Sequence, residues 1–225
     1  MWLRAVRRDL VALITATGVA CVMCPVTVTL IMNPDQVWLH ALLAPSTALL
    51  VWLCTRRWGR RCDSFGICPP IRLRWHLMGL LLGVLMPLGL LPLWQTLGLP
   101  AFTPPVEILP VIYAVPAWEE TVFRGILSSA LVALLVRDNG VKRLQLIGRK
   151  ALALVLSAAV FAACHMITYP SRLIWSSLGA THFLDFAISG LLFGIVRMCS
   201  GSLLPGMVMH AATNLVEWIL MFELY

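Results

Sequence analysis

Apolar residues fill this chain in blocks too long for the core of a soluble domain, separated by short polar or basic segments. A helix needs about 20 mostly apolar residues to cross a bilayer. The blocks predict spans at about 11–32, 37–54, 75–97, 108–136, 151–168, 180–196 and 203–222. The turn Asn33-Pro34-Asp35-Gln36 parts the first two. Pro87 and Pro92 predict kinks in the third. The fourth block is too long for one straight crossing. Pro110 and Pro116 interrupt it, which predicts a short broken helix and then a regular one from near Pro116, where a first turn tolerates proline. The fold expected is an all-α, polytopic transmembrane bundle of about seven spans, forming one membrane domain over residues 1–225.

Charge fixes the expected orientation. All Lys and Arg except Arg124 and Arg172 fall in the first ten residues, in segments 55–74 and 137–150, or at Arg197. Basic residues mark cytoplasmic loops, so the N-terminus is expected in the cytoplasm and the proline-rich segment 99–107 outside. Trp38, Trp52, Trp75, Trp94 and Trp175 lie at span ends, as an aromatic belt requires. The apolar run after the basic start is too long for a signal-peptide core and lacks a clean small-residue cleavage site, so a retained first span is expected.

Composition agrees: 60% of the residues are hydrophobic and 12% charged. The net charge of +7 reflects loop bias rather than a folded basic patch, which argues against nucleic-acid binding. Seven cysteines, most of them in spans or cytoplasmic loops, argue against a disulfide framework. Cys21 and Cys24 have redox-motif spacing, but within an apolar helix they read as small core residues.

Against this background a few polar groups stand out. The stretch Pro116-Ala-Trp118-Glu119-Glu120-Thr-Val-Phe-Arg124-Gly125 places three charges where each costs roughly 2.5–3.5 kcal/mol on insertion scales. Glu120 and Arg124 are i, i+4, the better order for an ion pair, while Glu119 points about 100° away in an α-helix. The fifth span holds Phe161-Ala-Ala-Cys-His165 and the seventh His210-Ala-Ala-Thr-Asn214, followed by Glu217 on the same face. Counted from Arg137, Lys150 and Arg197, Glu120, His165 and His210 lie roughly 25, 22 and 20 Å from the basic ends at about 1.5 Å per residue. Groups distant in sequence are therefore expected at similar depth, toward the outer side. His182 and Asp185 near the outer start of the sixth span, and Glu217 near the end of the seventh, are expected at interfaces or in supporting roles.

Glu119-Glu120-x-x-x-Arg124, Phe161-x-x-x-His165 and His210-x-x-x-Asn214 resemble, in order, the three motifs of the CPBP intramembrane proteases. That family groups type II CAAX prenyl endopeptidases with bacteriocin-processing and immunity proteins. The resemblance implies a catalytic core over 108–222, with 1–107 supplying N-terminal spans and loops. It implies that Glu119 activates water, that His165 orients it or shares its proton, and that His210 and Asn214 stabilise the oxyanion. Glu120 and Arg124 would hold the site together, and no cofactor would be required. Zinc bound by the same residues is the alternative chemistry, though no His-Glu-x-x-His helix is present.

Prenyl-CAAX substrates end in the cytoplasm, and that subgroup opens its site to that side. The charge bias here places the motifs nearer the outer face. The expected function is therefore hydrolysis of a peptide bond in a membrane-associated or exported polypeptide, within a lipid bilayer, the bacterial inner membrane being the expected location. A non-enzymatic immunity or chaperone-like peptide binder is one rival. A transporter or proton relay is the other, with the lack of inverted-repeat symmetry against it.

Overall fold

The computed structural model describes residues 72–97, 115–135, 143–168 and 177–224. Among these residues all regular structure is helical: α1 (Arg74–Leu97), α2 (115–135), α3 (Arg143–Thr168), α4 (Ser177–Ser200) and α5 (Leu204–Leu224). Segments Arg74–Pro92, Leu144–Met166 and Ala180–Ser200 are long and apolar enough to cross a membrane. The predicted spans 11–32 and 37–54, the side of the N-terminus, the loops at 55–71 and 99–107, Cys21 and Cys24 lie outside the described residues.

Observed helix ends follow the hydropathy pattern except in α3 and in α4, which runs Ser177–Ser200 against the expected 180–196. Helix α3 starts at Arg143, ahead of the apolar block expected from 151. Hydropathy breaks at Arg149 and Lys150, but both are good helix formers with long stems that keep their charges at the edge. Arg149 also donates from Nη1 to the Leu135 carbonyl at 3.0 Å, satisfying one acceptor near the end of α2. Pro87 and Pro92 lie inside α1, as the sequence predicts.

Two Gly-x-x-x-Gly pairs set the packing. Gly79 and Gly83 bring α1 against α5, where added Cβ atoms would strike the carbonyl oxygens of Pro205 and Met209. Thr213 seals that seam by donating its hydroxyl to the Gly83 carbonyl at 3.3 Å. Gly190 and Gly194 bring α4 against α3, where Ala158, Phe161 and Leu154 occupy the space. Small residues that let backbones approach are how helices associate in lipid, where burial of apolar surface gives little drive.

Large apolar side chains face outward: Leu77, Leu81, Leu85 and Leu88 on α1, Leu152, Val155 and Leu156 on α3, and Leu184, Ile188 and Ile195 on α4. Spacings of three and four make these stripes on the helices, suited to contact with acyl chains. The buried interior carries the ionisable residues instead, with Glu119, Glu120, Arg124 and His210 all inside.

The α4–α5 turn is built locally. Gly201 takes the left-handed conformation at φ 73° and donates to the Arg197 carbonyl at 3.0 Å, ending α4. The Ser202 hydroxyl accepts from the Leu204 amide at 3.3 Å and starts α5. Chain direction reverses within a few residues, which sets α5 at a defined angle to α4 and so places His210.

Candidate active site

The α2 helix departs from regular α geometry where the charges are. Residues 115–119 are α-helical, Glu120–Leu127 wind as a π-helix, and Ser128–Leu135 return to α. The Ser128 amide reaches back to the Phe123 carbonyl, an i→i+5 bond. That carbonyl also accepts the buried Ser157 hydroxyl of α3 at 3.0 Å. The Thr121 hydroxyl donates to the Ala117 carbonyl at 2.7 Å, a back-bond of the kind that bends helices. All eight π-helical residues are buried. Such segments are rare, and many sit at functional sites.

Glu119 is the last α residue before this segment. Its carboxylate lies between two imidazoles, with His165 Nε2 3.6 Å from Oε1 and His210 Nε2 3.7 Å from Oε2. The outer nitrogens of the two rings fix their tautomers. His165 Nδ1 lies 2.8 Å from the Phe161 carbonyl, which only accepts, so Nδ1 carries the proton. His210 Nδ1 lies 3.1 Å from Glu120 Oε1, a carboxylate paired with arginine, so it too donates. In its neutral form each ring therefore turns a lone pair toward Glu119. Around that carboxylate the nearest groups are proton acceptors.

Glu120 works on the far side of the same imidazole. Arg124 Nη1 stands 3.2 Å from Glu120 Oε1, close enough for an ion pair but without hydrogen-bond alignment. The guanidinium is caged by aromatic faces, 4.1 Å from the Phe161 centroid, 5.3 Å from Phe193 and 5.8 Å from Phe123. Cation–π attraction of roughly 2 kcal/mol is available to a desolvated guanidinium. Phe193 also stacks on His210 at 4.5 Å and 16°. Gly206 and Gly190 leave room for Glu120 Oε2 and Arg124 Nη2, which a Cβ would approach to 3.3 and 3.1 Å.

Five of the six residues singled out in the sequence thus meet within a few ångströms of one another: Glu119, Glu120, Arg124, His165 and His210. Asn214 follows His210 by one turn on α5 and is half-buried. Sequence reasoning missed Phe193 and Phe186, the latter lying 4.4 Å from the His165 ring. An intramembrane arginine needs more than one carboxylate to stabilise it, and that requirement was the available signal for an aromatic cage. His182 stacks on Phe186 at 6.4 Å, at the edge of the cluster. Asp185 on α4 and Glu217 on α5 are two acids close enough for their like charges to repel, a proximity the sequence did not predict. Among the described residues no group of three His, Cys, Asp or Glu side chains is arranged to hold a metal ion.

Access is uneven. The Glu120 side chain is 0% exposed and that of Glu119 5%, while His165 reaches 13%. Of these side chains His165 is the most exposed.

Apolar stripes outside and a Glu/His cluster inside define a helical membrane protein with ionisable chemistry at its centre. A family model described as type II CAAX prenyl endopeptidase Rce1-like matches residues 101–216, just over half of the chain. The chain belongs to that family, a family of membrane proteases, and is an integral membrane protein. No curated protein and no solved structure matches it.

Proposed function

We propose that this protein hydrolyses a peptide bond in a membrane-associated or exported polypeptide, with Glu119 as the general base. The observation that carries this reading is the convergence on one carboxylate of two imidazole Nε2 atoms, at 3.6 and 3.7 Å. A water molecule supplies the two protons such a centre lacks. It donates one to Glu119 and the other to His165, which turns an oxygen lone pair toward the scissile carbonyl.

As the oxygen–carbon bond forms, Glu119 takes a proton and the carbonyl oxygen becomes an oxyanion. Its donors are the Asn214 amide and His210. With Nδ1 already donating to Glu120, His210 adds a second donor at Nε2 when its ring enters the cycle already protonated from solvent, a proton it keeps throughout. The Glu120 carboxylate faces that charge, with Arg124 on its other side. Collapse of the intermediate breaks the carbon–nitrogen bond, and Glu119 returns its proton to the leaving amine. Positioned acid–base groups contribute about 10²–10⁴-fold, and one oxyanion donor about 10²–10³-fold. Glu119, His165 and His210 are the residues the alternative zinc chemistry would use, but as placed they are not arranged to hold an ion.

In this reading residues 108–222 form the catalytic core, and 1–107 supply the N-terminal spans. About seven spans, a cytoplasmic N-terminus and the bacterial inner membrane complete the proposal. The charge bias of the loops favours a site reached from the outer face, hence an exported substrate. The family match favours a prenylated cytoplasmic tail as the second reading. Cysteine labelling of segment 99–107 from either side of the membrane separates the two. Labelling from outside is expected, and labelling only from inside assigns the prenylated tail.

The catalytic proposal is tested by comparing new N-termini in membranes from cells expressing the wild type or Glu119→Gln. Products present only with the wild type are expected, at equal amounts of inserted protein. Undiminished cleavage by Glu119→Gln rules out Glu119 as the base.

A further inference from the structure

A second polar feature lies on the other side of Arg124, away from Glu119. A cavity of about 340 Å³ opens between α2, α3 and α4, lined by Arg124, Ser128, Ser129, Lys150 and Arg197, with Val132, Ala133 and Met198 completing the wall. Three lining residues are cations, two bear hydroxyls and none is acidic. Arg124 is 2% exposed, and its Nη1 and Nη2 are buried without a hydrogen-bond partner. Its ion pair with Glu120 and its aromatic cage use the charge of the guanidinium but leave these donors unsatisfied. A buried donor left unmade costs about 1–3 kcal/mol, more when charged.

Lys150 lies in the basic first third of α3, and Arg197 in the last turn of α4. The cavity thus runs from the buried guanidinium toward the ends where the loop charges gather. At those ends headgroups of the cytoplasmic leaflet are expected, and basic pockets between membrane helices recognise anionic headgroups. Guanidinium forks, an ammonium and hydroxyls suit the several acceptor oxygens of a phosphate. The volume is in the range of small-ligand sites.

We propose that this cavity binds a phosphate group, presented by the headgroup of an anionic lipid, with Arg124, Lys150 and Arg197 as its charge partners. Arg124 then serves two sites, facing Glu120 on one side and the phosphate on the other. The phosphate site does not depend on the peptide-bond chemistry, and its test reads binding rather than cleavage.

Full-length protein is placed in nanodiscs of phosphatidylcholine, with or without a minority of phosphatidylglycerol, and its melting temperature is measured. Phosphatidylglycerol is expected to raise Tm by about 2–4 °C through preferential binding to the folded state. The Lys150→Gln/Arg197→Gln variant is expected to lose that rise. Arg72→Gln/Arg74→Gln, which removes two charges away from the cavity, is expected to keep it. Ala133→Leu fills the cavity without changing charge and is also expected to lose the rise, so a poorly folded charge variant leaves the test standing. An equal rise from inorganic phosphate in phosphatidylcholine alone supports the site and assigns its occupant as free phosphate. No rise in the wild type, or an undiminished rise in Lys150→Gln/Arg197→Gln, overturns the proposal.

Discussion

Two seams of this molecule meet on α5 and are built on opposite principles. Toward α1, helix backbones touch through Gly79 and Gly83, and the single side-chain hydrogen bond described there runs from Thr213 to the Gly83 carbonyl. Toward α2, His210 enters a cluster of carboxylates, imidazoles and a guanidinium. The first seam depends on the absence of side chains, the second on side chains with nowhere else to go. Met209 and His210 are neighbours, so the close approach at one fixes the aim of the other. Chemistry in the polar seam is thus positioned by contacts that carry no charge.

This contrast gives testable differences. Glu120→Ala is expected to cost most: removing one partner of a buried ion pair typically costs 3–5 kcal/mol, and Arg124 would keep its charge in the interior. The measurement is Tm in a fixed lipid, with Glu120→Gln expected to fall less. Asn214→Ala is expected to lower kcat about 10²–10³-fold with Tm and KM little changed, if its amide meets the oxyanion. An unchanged kcat would move the donor role to His210 alone. Gly83→Leu wedges the glycine seam apart, with an expected loss of about 1–3 kcal/mol. Gly89→Leu on the same helix is its control, since a Cβ there meets nothing. Activity falling in step with Tm for Gly83→Leu, and in neither for Gly89→Leu, would show that the uncharged seam positions the polar one. The smallest effect is expected at Gly201, where a Cβ has open space but φ is 73°. Gly201→Ala should lower stability by about 1–2 kcal/mol through backbone strain.

Much of this arrangement was legible in the sequence because the membrane simplifies the reading. α1 begins at Arg74 and α5 at Leu204, each within one residue of the expected start, since both boundaries follow hydropathy. Depth counting placed Glu120, His165 and His210 at one level, where they do meet. The π-helix was not legible. Glu120 and Arg124 at i, i+4 read as an ordinary α pair, and a wholly buried segment has no polar face whose drift would betray a change of winding. The start of α3 was missed because hydropathy stops at charges while the helix continues. Gly79-x-x-x-Gly83 was a signal in plain sight, though which helix it meets depends on tertiary packing. The shared use of His210 by two carboxylates needed coordinates, since a ring's two nitrogens cannot be assigned from spacing.

The π-helix bears on which changes in chain length α2 can absorb. With i→i+5 bonding each residue advances the winding by less than the 100° of an α-helix. The direction of Glu119 relative to Ser128 therefore depends on how many residues separate them as well as on their identity. Exchanging Val122 or Ile126 for a side chain of similar volume leaves that rotation intact. Deleting one residue between Thr121 and Leu127 would let the segment relax to α winding and swing Glu119 away from both imidazoles, with no polar residue lost. Insertions and deletions across this short stretch are accordingly expected to be more damaging than most substitutions within it.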